Sequence, residues 1–87
     1  MYRFMFCTTK NPLGETAAFD YSSLHDVIAC CISFRNKDCE KVTAGYSVYE
    51  LDEDGNLRET LLNWQHDHKN TFGRLVDPQN PHYFFAA

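Results

Sequence analysis

The chain has 87 residues, with 12 Asp and Glu against 8 Lys and Arg and a formal net charge of −4. That length suits one domain spanning residues 1–87, and it leaves little room for a deep catalytic pocket beside a core. With no basic run anywhere, the chain lacks the means to neutralise phosphates, which excludes direct nucleic-acid binding and attraction to an anionic membrane.

Residues 2–7 read as a first strand. Tyr2, Phe4 and Phe6 alternate with Arg3, Met5 and Cys7, and both faces are largely apolar, as in a central or doubly covered strand. The start shows no long apolar run of the secretory type, and no segment approaches a membrane span. The expectation is a cytoplasmic chain whose Cys7, Cys30, Cys31 and Cys39 are reduced.

Lys10 to Gly14 reads as a turn, with Pro12 and Gly14 as breakers. A helix follows, capped by Ser22 or Ser23, with Asp26 three residues after Ser23. Leu24, Val27, Ile28, Cys31 and Phe34 give it one apolar face, and Asn36 is the expected stop.

Residues 42–65 read as a β-hairpin. Two runs rich in β-branched and aromatic residues flank the acidic turn Asp52-Glu53-Asp54-Gly55-Asn56. Tyr46 and Val48 share one face of the ribbon, while Ser47, Tyr49 and Leu51 share the other. Which face is buried depends on register. Beyond His66, Arg74-Leu75-Val76 reads as a short strand. Tyr83-Phe84-Phe85 is too apolar for a free tail and should dock on the body or on a partner. The predicted class is α+β, in the order β-α-β-β, with one helix packed on an antiparallel sheet and a C-terminal extension.

The residue spacings bear on four chemistries. Zinc prefers short-spaced Cys and His pairs, and neither C-x-x-C nor H-x-x-x-H occurs; His66 and His68 are the best pair on offer. Asp67-His68, Asn80 and His82 follow the residue order of an HNH-type nuclease site, yet Asn80 and His82 are too close together and leave no length for its helix. Glu50, Asp52, Asp54 and Gly55 match part of an EF-hand loop, but Leu61 stands where the bidentate Glu belongs. Cys39 lies between Asp38 and Glu40, whose charges disfavour a thiolate, and no signature marks another Cys as a nucleophile. No enzyme, metal or cofactor is therefore expected. A small Cys/His metal-binding protein or a metal-dependent nuclease is the alternative.

Binding is the remaining class. Seven Phe, five Tyr and one Trp exceed what one small core needs. Tyr46, Tyr49, Trp64, Phe72, Tyr83, Phe84 and Phe85 are the interface-anchoring types, and the expected partner-binding residues are Tyr46, Tyr49, Trp64, Tyr83 and Phe84, with Asp52, Glu53 and Asp54 facing a basic surface on a protein partner. In size and composition the chain resembles the short, acidic, motif-poor proteins of phages and mobile elements. That resemblance implies an inhibitor that blocks a larger host protein or nuclease complex. An open strand edge and the apolar tail also make a homodimer a reasonable expectation.

Overall fold

The computed structural model describes residues 1–35 and 43–87. Among them the chain runs β1 (Tyr2–Thr8), β2 (Asn11–Tyr21), α1 (Leu24–Phe34), β3 (Thr43–Leu51), β4 (Leu57–Gln65), β5 (Phe72–Val76) and β6 (Phe84–Ala86). The six strands form one antiparallel sheet in the order β2-β1-β3-β4-β5-β6. One helix on one face of such a sheet is an α+β fold.

The topology is fuller than β-α-β-β. The turn expected over Lys10–Gly14 is mostly strand, because the chain reverses at Thr9-Lys10 and re-enters the sheet at Asn11. Pro12 is tolerated because β2 is an edge strand and the register is irregular between the pairs Thr8↔Asn11 and Cys7↔Glu15. The C-terminal extension supplies β5 and β6. Cys39 and the helix stop expected at Asn36 lie outside the described residues.

Helix α1 begins where capping chemistry places it. The Ser23 hydroxyl accepts a hydrogen bond from the His25 N–H at 3.2 Å, and Asp26 adds a favourable negative charge in the first turn. Val27, Ile28 and Cys31 are buried against the sheet. Beneath them lie Phe4 of β1, Tyr46 and Val48 of β3, Leu62 and Trp64 of β4, and Leu75 of β5.

Alternation then fixes the opposite face. Register pairs Met5 with Ser47 and Ser47 with Asn63, so these residues face away from the helix. On β5, Leu75 is buried beneath the helix layer, which turns Phe72, Arg74 and Val76 outward. The hairpin between β3 and β4 closes through Asp52. Its Oδ1 accepts from the Asp54 and Asn56 N–H groups at 2.9 and 2.8 Å, and its N–H donates to the Asn56 carbonyl at 2.8 Å.

Candidate functional site

Tyr46 and Trp64, expected at a contact surface, lie in the core. They are 2% and 7% exposed, because α1 covers the face of the ribbon that carries them. The Tyr46 ring stacks on Phe4 at 5.2 Å and on Trp64 at 5.4 Å. Its hydroxyl is buried beside the Cys31 thiol without a well-formed hydrogen bond, and burial raises its pKa. Tyr49 sits half-buried on the other face of the sheet. There it borders a shallow depression of about 590 Å³ with Met5, Cys7, Ser47, Asn63 and Gln65. Much of that polar lining is occupied internally: the Ser47 hydroxyl donates to Asn63 Oδ1, and Asn63 Nδ2 donates to the Asn70 carbonyl, both at 2.7 Å.

The other expected residues are exposed. Asp52, Glu53 and Asp54 form the hairpin tip, and only Asp52 is committed to closing the turn. Tyr83 and Phe84 flank the start of β6. Phe84 is 48% exposed, with the Arg74 guanidinium 3.6 Å from its ring centroid. Phe84 pairs with Val76 on β5, so both lie on the outward face with Phe72, which is 50% exposed. Phe72 is among the aromatics read from the sequence as interface anchors, whereas Val76 is not; the alternation Phe72-x-Arg74-x-Val76 around buried Leu75 is the signal that could have found it. Because β5 runs antiparallel to β4, Val76 and Phe84 lie at the end of the sheet that carries the acidic tip. Exposed Leu57, the first residue after the tip on β4, is at the same end.

Two polar anchors hold the β5–β6 edge of the sheet to the helix. At the N-terminus of α1, His25 Nδ1 lies 3.1 Å from Oδ2 of buried Asp77, and Asp77 Oδ1 accepts from the Gln79 N–H at 2.9 Å. At the C-terminus, Arg35 Nη1 donates to the Ala86 carbonyl at 2.9 Å. The Arg35 guanidinium lies between the rings of Phe85, Trp64 and Tyr46, at 4.2, 5.3 and 5.6 Å. Its Nε and Nη2 are buried and find no acceptor among the described residues.

The Asp77 carboxyl is held below the usual carboxylate range, first by the Gln79 N–H, then by His25 and the Asn80 N–H, with desolvation opposing them. A depressed folded-state pKa stabilises above the unfolded value and loses that contribution as pH falls through the folded value. The Arg3–Asp20 pair, at 2.8 and 3.1 Å, acts in the same direction on Asp20, though it is exposed. Stability is therefore expected to fall on acidification below about pH 4. Asp77→Ala should flatten that dependence. Urea midpoints measured near neutrality and in acid check it, and an unchanged acid slope would show that Asp77 is not a source.

The two thiols of α1 are disfavoured as thiolates. Burial pushes the Cys31 thiol up to about 12 and raises that of Cys30. A hydrogen bond with Cys30, helped by burial, pushes the Tyr21 hydroxyl up to about 12. Among the described residues, no three His, Cys, Asp or Glu side chains lie close enough to hold a metal ion. No helix among them is long and apolar enough to cross a membrane. The partial EF-hand match falls on strand β3 and the hairpin tip, which lack the flanking helices of such a site. Comparison with known proteins finds no matching family model, no matching curated protein and no matching solved structure.

Proposed function

We propose that the chain is a non-enzymatic protein-binding module. It meets its partner through the outward face of β5 and β6, and the acidic hairpin tip steers the encounter. The observation that supports this most directly is that Val76 and Phe84, exposed on the outward face that Phe72 continues along β5, lie at the end of the sheet that carries Asp52, Glu53 and Asp54. Exposed aromatics supply the desolvation energy of an interface, while rim carboxylates act mainly on association rate and on the choice of a basic partner. The finer reading is an inhibitor that occupies a basic surface of a larger, nucleic-acid-binding complex in the cytoplasm, and it rests on the same acidic tip.

The test is capture of partners from lysate by the tagged chain, with two surface variants as controls. One is Phe72→Ser with Phe84→Ser. The other is Glu53→Lys with Asp54→Lys; Asp52 is left intact because its carboxylate closes the turn. A stoichiometric partner should be retained by the parent chain and lost by the aromatic variant. The tip variant should associate about 10-fold or more slowly at low salt, with the difference shrinking as salt is raised. Both variants should unfold at the parent's temperature. A partner held equally by the parent and both variants would place the interface elsewhere.

A further inference from the structure

We propose that β6 is an exchangeable arm, and that two copies of the chain form a dimer by trading it. The inference rests on how β6 is attached, and it stands independently of which partner the module binds.

Strand β6 is short and lies at the sheet edge. It pairs with β5 alone, through Arg74↔Ala86, Leu75↔Phe85 and Val76↔Phe84. Its remaining attachments are the Arg35 bond to the Ala86 carbonyl, the Phe85 ring against the Arg35 guanidinium and the core, the Arg74 guanidinium over the Phe84 ring, and the Ala87 N–H donated to the Gly73 carbonyl at 3.2 Å. The socket, by contrast, needs an occupant. Without β6, Leu75 and the edge of β5 would be uncovered, and the Arg35 guanidinium would lose its described acceptor and one of its rings. The side chain that fits this socket is already known, because it is the chain's own. A second copy offers the identical segment and remakes every one of these contacts, so exchange leaves the contact energy unchanged. The balance then falls to the connector and the entropy of association.

The connector favours opening. Seven residues, Asp77 to Tyr83, join β5 to β6. In the closed form they fold back through Asn80 N–H to the Asp77 carbonyl at 3.2 Å and Tyr83 N–H to the Asn80 carbonyl at 2.9 Å. Pro78 and Pro81 lie within this stretch, and a residue preceding proline is biased toward extended backbone. Asp77 and Asn80, the two turn acceptors, are those residues. Extended, seven residues span about 23 Å, enough to carry β6 onto a neighbouring sheet. Asp77 stays fixed to the helix through His25 in either form and so acts as the hinge.

The experiment uses two full-length variants, Arg74→Cys in one and Ala86→Cys in the other. These positions are direct register partners, and opposed strand residues sit within the Cα separation that a disulfide spans. The two proteins are mixed, unfolded, refolded together at high concentration and oxidised. Light scattering follows the unmodified chain from micromolar to millimolar concentration. The expected result is a shift to twice the chain mass in the mixture, with mass spectrometry locating the bond between the two substituted positions. The unmodified chain should dimerise in parallel, and more readily when Asp77→Ala removes the carboxylate that accepts the Gln79 N–H and holds the closed connector to His25. An unmodified chain that stays monomeric throughout would overturn the proposal. So would a dimer in which the two substituted positions remain unlinked, since it would be built on another face.

Discussion

Gly73→Ala is expected to cost about 3–5 kcal/mol and to detach β5 and β6 from the sheet. Gly73 has φ of +101°, where an L side chain is strained. An added Cβ would run into the Leu61 carbonyl oxygen and lie 2.6 Å from Leu62 Cα. Those atoms are backbone of β4, so no rotamer change can clear them. The position is also in one of only two register pairs between β4 and β5, Leu62↔Gly73 and Asn63↔Phe72, so the pairing of these strands has little redundancy. Gly55→Ala is the matched control. Its φ is +81°, but nothing lies within 4 Å of the new Cβ, and only the left-handed strain of about 1–2 kcal/mol applies. Urea unfolding compares the two, and amide exchange over residues 72–76 reports the detachment. Equal losses at both positions would mean that the backbone contact at Gly73 relaxes freely.

Phe4→Ala is expected to cost about 3–5 kcal/mol. Phe4 is fully buried, and its ring lies 4.7 Å from Phe34, 5.2 Å from Tyr46 and 6.4 Å from Phe6. The substitution leaves a cavity bounded by rings of the helix and of two strands, which cannot all close on it. Native domains hold roughly 5–15 kcal/mol in total, so the variant should be marginal at room temperature. Phe19→Ala, at a half-exposed ring on the edge strand, should cost much less. A loss at Phe4 no larger than that at Phe19 would show that the stack repacks around the hole.

Much of the fold could be read from the residues, and the failures have physical causes. The hairpin was legible because its strands are rich in β-branched and aromatic residues and its turn carries Asp and Gly where the backbone demands them. The helix was legible because Ser23 caps it and its apolar spacing is regular. Strand β2 was not, since Pro12 and Gly14 mimic a turn and Ala17-Ala18 carries no alternation; pairing with β1 overrides that weak local preference. Residue type alone made Tyr46 and Trp64 look like interface anchors. Only the register shows that they share the helix-covered face with Val48 and Leu62. Val76 was passed over for the complementary reason: its exposure depends on Leu75 pointing inward, so the alternation of β5 is informative only once its buried face is known.

The sheet order bears on how the molecule assembles in time. Hairpins β1–β2 and β3–β4 can each zip from a turn, but the two are joined by the seam between β1 and β3, where Tyr2 pairs with Glu50 and Thr8 with Thr43. Closing that seam requires a loop that contains all of β2 and α1, so its entropic cost falls before the contacts that repay it. The seam, rather than either hairpin, should be the slow event. On a ribosome the first strand must wait, unpaired along one edge, until the third has emerged. Changes that weaken the seam, such as Val48→Ala, should slow folding, while changes confined to β6 should chiefly hasten unfolding.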